Sequence, residues 1–244
     1  MTAPHEPIVA RYPADDKRAY LRSLFDRGAP YYDRVNGFGF LWTGGFYRRR
    51  ALRRAGLRPG MAVVDVACGT GPVTRACLDV LRGDGRVVGV DPSAGMLAVA
   101  QQRVRGAEFR AGHAEALPVA DGGADFVVMG YALRHVAELE RAFAEFRRVL
   151  RPGGTLLVLE VSRPSTRLGL LLARTYFRDV LPLSTRLVTR SKDAREMMSY
   201  FWETIEACVP PETILAAMRA AGFVNERRRT ELGVFSAFTA SARA

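Results

Sequence analysis

Cysteine is scarce in this 244-residue chain. Cys68, Cys77 and Cys208 form no C-x-x-C pair, so neither a disulfide framework nor a zinc site is written into the spacing, and reduced thiols are expected. Long apolar runs are missing as well. Runs such as Leu168 to Ala173, counting Gly169, are far below the roughly 18 to 20 residues that a membrane span needs. The segment from Met1 to Asp26 mixes Pro, Asp, Lys and Arg without the apolar core of about 7 to 15 residues found in a secretory signal. A cytoplasmic protein is the expectation. Lysine is almost absent too, since only Lys17 and Lys192 occur, and the formal net charge of +11 is therefore carried by arginine. Its clusters, Arg48-Arg49-Arg50 with Arg53-Arg54 and Arg227-Arg228-Arg229, are short and dispersed. That distribution reads as compositional bias, and no nucleic-acid partner is expected.

What remains is an ordinary globular composition, 48% apolar and 25% charged, in a length that suits one substantial domain with an appended lid. Short, wholly apolar runs alternate with longer helical patterns. The runs are Met61 to Val66, Val87 to Val90, Phe126 to Met129 and Leu156 to Val161. Without polar alternation they suit strands buried on both faces of a parallel sheet. Val136, Leu139, Phe143, Phe146 and Leu150 step by three and four, the stripe of an amphipathic helix ending at Arg151-Pro152-Gly153-Gly154. Strand–helix alternation of this kind implies a doubly wound α/β sheet.

Around that core the pattern changes. Residues 1–56 hold aromatics broken by glycines and read as a helical cap, and 57–164 as the core. Residues 165–209 read as a helical lid insertion, with Leu168, Leu171, Leu172, Tyr176, Phe177, Val180 and Leu181 on one stripe and a polar helical stretch from Asp193 to Cys208. Residues 210–244 return to the core: Pro211 opens a helix that Gly222 closes, and Phe223 to Arg229 and Val234 to Ala240 form an antiparallel hairpin through Gly233. The expected architecture is a mostly parallel, seven-stranded, Rossmann-like α/β sheet with that hairpin at its end.

The chemistry concentrates at Val63-Val64-Asp65-Val66-Ala67-Cys68-Gly69-Thr70-Gly71-Pro72-Val73-Thr74, a strand running through a glycine turn into a helix. Gly69 and Gly71 let the backbone bend sharply and a nucleotide-like ligand approach it. Twenty residues beyond Gly71, Asp91 stands at the end of the second strand, where an acid can accept both ribose hydroxyls of an adenosine. Thr74 fills the position where a dinucleotide fingerprint wants Gly or Ala, and no G-x-x-x-x-G-K-[ST] string occurs, which turns the reading away from NAD, FAD and nucleoside triphosphates.

Asp65, A-C-G-T-G and Asp91 instead resemble the cofactor loops of class I S-adenosylmethionine (SAM) methyltransferases. Gly112-His113-Ala114-Glu115-Ala116-Leu117-Pro118 falls where such enzymes contact adenine. Leu24-Phe25, Tyr32-Asp33-Arg34-Val35-Asn36, Leu41-Trp42, Ala132-Leu133-Arg134-His135-Val136, Leu159 to Pro164 and Tyr200 to Ile205 narrow the resemblance to the ubiquinone/menaquinone biosynthesis C-methyltransferase family. It spans about residues 20 to 240. The resemblance implies SAM as cofactor, held by Asp65, Ala67, Gly69, Thr70, Gly71, Asp91, Pro92, Met96, His113, Ala114, Glu115 and Tyr131, with no metal. It also implies methyl transfer to a ring carbon of a prenylated hydroquinone.

In that family the Arg-Asn of a G-[LI]-R-N turn and the Tyr of an N-terminal Y-D element serve catalysis. Arg134 and Tyr32 occupy those positions here, but His135 replaces the Asn, Ala132 the Gly, and His113 an Asn or Asp. Histidine titrates near neutrality and can take a phenolic proton, whereas arginine stabilises charge. Against these roles stand plainer ones: helix packing for His135, a surface salt bridge for Arg134, aromatic packing for Tyr32 and an exposed loop position for His113. Glu160 either lines the acceptor pocket or anchors the lid through a salt bridge. The stripe from Leu168 to Leu181, beside Arg167, Arg174 and Arg178, either touches a membrane or is core. The departures leave methylation of a specialised metabolite at C, O or N as an alternative to quinone biosynthesis.

Overall fold

The computed structural model describes residues 22–30, 44–136, 138–162, 164, 166–180, 204–205, 208–231 and 233–243. Tyr32 and most of the stretch from Asp193 to Cys208 lie outside them.

Helical residues 22–30 (α1) and helix α2 (Gly44–Arg54) precede the sheet. Then follow β1 (Met61–Val66), α3 (Pro72–Leu81), β2 (Gly85–Asp91), α4 (Ala94–Arg103), β3 (Glu108–Ala111) and β4 (Ala124–Gly130). A 3₁₀ turn (Leu133–His135) leads into α5 (Leu139–Val149) and β5 (Leu150–Val161). Helix α6 (Arg167–Arg174) runs on as a π-helical turn (Thr175–Val180), and α7 (Pro211–Ala220), β6 (Phe223–Glu231) and β7 (Phe235–Ala242) complete the described chain.

The strands form one seven-stranded sheet in the order β3-β2-β1-β4-β5-β7-β6. The first five are parallel, and β7 runs antiparallel to both β5 and β6. The valine-rich runs are buried on both faces because helices cover both. Val64, Val66, Val127 and Met129 pack against Phe143 and Phe146 of α5 and Met218 of α7, while Val63, Phe126, Val128 and Leu157 pack against Leu52 of α2 and Cys77 and Val80 of α3. Strand order reverses between β1 and β4, and the crevice beyond their C-terminal ends is where open α/β sheets take ligands.

The seventh expected strand is β3, which no apolar run marks because its Glu108-Phe109-Arg110-Ala111 is an edge strand with no fully buried residue. Two differences from the sequence reading have local causes. Leu150 begins β5 rather than ending the helix, and Arg151 to Gly154 lie within that strand, across a register shift opposite Ala124 and Phe126. Leu168 and Leu171 are not core: they are 67% and 60% exposed.

Candidate active site

The glycine turn is a left-handed backbone. Ala67, Gly69 and Gly71 have φ of 53°, 55° and 89°, and the bend is held by Gly69 N–H donating to Asp91 Oδ2 at 2.8 Å and Gly71 N–H to Cys68 O at 3.0 Å. Gly71 is confined further, because a Cβ there would meet Val104 Cγ2 at 2.7 Å, whereas one on Gly69 would meet nothing within 4 Å. Gly69 therefore faces open space, the condition for a ligand to reach the peptide plane.

Asp91 ties this loop to the next. Its Oδ2 accepts from Gly69 N–H at 2.8 Å and its Oδ1 from Ser93 N–H at 2.9 Å. Burial nevertheless pushes its carboxyl up to about 6. Pro92 is exposed. Ser93 caps α4, its Oγ accepting from Met96 N–H at 3.0 Å. Asp65, fully buried in β1, accepts the Thr74 hydroxyl at 2.5 Å and is pushed up to about 7 by burial. Its other oxygen is buried with no partner among the described residues. The third fingerprint position thus holds a threonine because its hydroxyl is spent on Asp65. An orphaned buried carboxylate oxygen calls for a donor, and the ammonium and ribose hydroxyls of SAM are donors, so the residues present fit this cofactor.

The loop from 112 to 118 is pinned by α5. Glu145 accepts Leu117 N–H at 2.6 Å, and Arg148 bonds Glu145, the carbonyls of Val119 and Leu117, and Asp121. Ala114 and Glu115 are half-buried and Thr70 is buried, while His113 is exposed. Tyr131, half-buried at the tip of β4, has a φ of 62° and donates its N–H to Leu159 O at 2.7 Å.

Beside it lies a buried ion pair. Arg134 is the bulkiest fully buried side chain, so a surface salt bridge is excluded; its Nη1 donates to Glu160 Oε1 at 2.5 Å and its Nε to Thr204 Oγ1 at 3.1 Å. Glu160 Oε1 also accepts Val161 N–H at 2.8 Å, and Oε2 accepts Arg134 N–H at 3.4 Å. The pairing joins the ends of β4 and β5 to a residue seventy positions on from Arg134. His135 is half-exposed and packs edge-on against Phe25 of α1, with ring centroids 5.6 Å apart.

Sequence reasoning missed the way α1 crosses the crevice. Asp26 Oδ1 accepts from Ser93 Oγ at 2.5 Å and Gly95 N–H at 2.9 Å. Gly95 permits this approach, since a Cβ there would lie 2.9 Å from Asp26 Cα. One helix therefore touches both the β2–α4 loop and the turn after β4, and no local pattern around Asp26 signals either contact.

A parallel sheet with this switch point, glycine turn and pair of acids defines a class I SAM-dependent methyltransferase. The profile of the ubiE/COQ5 methyltransferase family matches residues 14–241. The chain belongs to that family. It is 34% identical over 218 residues to a demethylmenaquinone methyltransferase of Symbiobacterium thermophilum, covering 86% of this chain and 87% of the relative. It is 33% identical over 216 residues to a ubiquinone/menaquinone biosynthesis C-methyltransferase of Hahella chejuensis, covering 86% of each. Among solved structures, a SAM-dependent methyltransferase of Thermotoga maritima superposes with a TM-score of 0.65 at 22% identity, covering 91% of this chain and all of that one. Human N-acetylserotonin methyltransferase in complex with SAM gives 0.65 at 15% identity, covering 96% of this chain and 61% of that one. Both share the fold.

Proposed function

We propose that this enzyme methylates a ring carbon of a prenylated hydroquinone, the demethylmenaquinol type of acceptor, and that it works in the cytoplasm against a membrane surface. The observation that carries the reading is the buried Arg134–Glu160 pair at the turn beside His135, in a chain whose relatives are named for quinone methylation.

SAM supplies an electrophilic methyl group on sulfur. The chain's own residues orient the acceptor carbon in line with it, and holding reactants at about 3 to 3.5 Å accounts for several kcal/mol of barrier. Carbon becomes nucleophilic only as the neighbouring hydroxyl loses its proton. His135 takes that proton, and after the methyl has passed from sulfur to carbon, leaving S-adenosylhomocysteine, the hydrogen on the methylated carbon departs as a proton to restore the aromatic ring. Arg134 has its charge balanced by Glu160, so it directs hydrogen bonds at the turn and does not act as a free cation. Tyr32 contributes from the cap by the family resemblance. Asp91 receives the ribose hydroxyls, and the 112–118 loop receives the adenine.

The lid, residues 165–209, collects the acceptor. Helix α6 exposes Leu168 and Leu171, with Val180 beyond them 48% exposed, between exposed Arg167 and Arg174. Apolar residues flanked by cations suit the interface of an anionic bilayer. The experiment is to incubate purified protein with methyl-deuterated SAM and demethylmenaquinol in vesicles, and to look for the labelled quinone by mass spectrometry. A folded protein that binds SAM and forms no labelled quinone overturns the reading.

A further inference from the structure

The two arginine clusters that stand far apart in the sequence meet in the fold. Arg54 of α2 pairs with Glu231 of β6, and the same Glu231 Oε1 accepts Arg229 Nε at 3.3 Å. Tyr47 of α2 lies against Phe235 of β7, with ring centroids 5.5 Å apart. In the β6–β7 ladder Arg229 stands opposite Ala237 and Arg227 opposite Thr239. Residues directly opposite in an antiparallel ladder share a face, and Ala237 packs into the cluster that holds Leu52 of α2. Arg227 and Arg229 therefore lie on the side of the sheet that α2 covers.

Helix α2 buries Ala51 and Leu52 and turns Phe46, Arg50 and Arg53 outward on one stripe. Phe46 is 64% exposed. Arg49 and Arg54 are balanced by Asp79 and Glu231, whereas Arg50, Arg53 and Arg227 enter no ion pair among the described residues. The product is one exposed cationic face with an aromatic ring at one end. Tyr47 fixes where that end lies, because its neighbour Phe235 pairs with Val161, the last residue of β5. The Phe46 end of α2 thus sits at the C-terminal edge of the sheet, where the crevice opens and from which the chain runs on into α6.

Unbalanced cations call for an anionic partner, and an exposed ring beside them calls for an apolar layer beneath that charge. Nucleic acid meets the first need. A bilayer of anionic lipid meets both, and it also takes the exposed Leu168 and Leu171 of α6. We propose that the α2–β6 face docks on anionic phospholipid headgroups, with Phe46 inserted among them, so that the mouth of the crevice turns toward the bilayer. The inference rests on the acceptor being a membrane lipid and adds to the lid a second surface, built from the cap and the end of the sheet.

The test reads partition and needs no turnover. The full chain and its variants are sedimented with vesicles of phosphatidylglycerol and phosphatidylcholine in equal parts. Each arginine beside an anionic surface is worth about fivefold in partition, so the triple variant Arg50→Gln/Arg53→Gln/Arg227→Gln is expected to bind about 100-fold more weakly. Phe46→Ser should lose about tenfold. The triple variant Arg82→Gln/Arg86→Gln/Arg105→Gln removes the same charge from exposed positions at the N-terminal edge of the sheet and should lose less than about threefold. Unchanged S-adenosylhomocysteine affinity certifies that a variant is folded. Equal losses from the two triple variants, or no loss from the first, overturn the proposal, as does a full chain that binds an oligoribonucleotide and no vesicles. If the first triple variant does not fold, Phe46→Ser decides, and unchanged partition overturns the proposal. A chain that docks through this face and forms no labelled quinone counts against the acceptor alone, so the two failures are told apart.

Discussion

Along the C-terminal edge of the sheet, the β1–β2 side of the crevice is made of main chain and the β4–β5 side of buried side-chain charge. On the first side, left-handed residues at 67, 69 and 71 and the amides of Gly69 and Ser93 do the shaping, and Asp65 is left with one oxygen unpartnered among the described residues. On the second, Arg134 and Glu160 pair their charges inside the protein. The contrast has a physical consequence. Groups on the first side wait for a ligand, so their loss is felt in binding, whereas groups on the second complete the fold, so their loss is felt first in stability.

The sharpest way to break that contrast is Glu160→Ala, which strands the Arg134 charge in the interior. Removing one partner of a buried pair costs about 3 to 5 kcal/mol, to be read from urea unfolding. A loss below about 1 kcal/mol would mean that water reaches the guanidinium and the pair is not the sealed element described.

Next in size is Asp91→Ala. Two charge-assisted ribose bonds at about 2 kcal/mol each amount to roughly 1,000-fold in affinity. Calorimetry should show that loss, with unfolding free energy changed far less than by the Glu160 variant. The reverse ranking would merge the two sides. His135→Ala comes third, with kcat expected to fall about 100-fold, as for a lost general base, and S-adenosylhomocysteine binding unchanged.

The smallest effect is one of pH, and it carries opposite signs for stability and binding. Asp65 and Asp91 titrate in the folded protein at about 7 and about 6, above the ordinary value of about 3.9. Between those limits the folded state holds more protons than the unfolded. The stability they contribute is thus complete below about pH 4 and lost as pH rises to 7. Asp65 faces Thr74, Asp91 and Arg48, and Asp91 faces Ser93, Gly69 and Asp26. The ionised acids are the stronger acceptors for ammonium and ribose, so S-adenosylhomocysteine affinity should rise about tenfold from pH 5.5 to 8. The melting temperature of the ligand-free protein should fall over the same range. Asp65→Asn should flatten both trends, and if it leaves them intact other groups are responsible.

Legibility followed the same division. The glycine turn, Asp91 and the inner strands could be read directly, because each depends on residues a few positions apart and on unbroken apolar runs. β3 escaped because an edge strand with mixed polarity has no such run. Glu160 was noticed, but as a pocket wall or a lid anchor, and its partner proved to be Arg134. Asp26 was not noticed at all, since its partners Ser93 and Gly95 come from another element.

By itself the sequence determined the sheet, the family and the side of the sheet on which SAM binds, because hydrophobic period and glycine placement act over short distances. Only the folded chain decided which charges are balanced and which are left open. Arg134 is bonded by residues 26 and 70 positions away, whereas one oxygen of the buried Asp65 keeps no partner among the described residues. Electrostatic pairing is settled by distance through space and by exclusion of water, and neither quantity is written in the order of the residues.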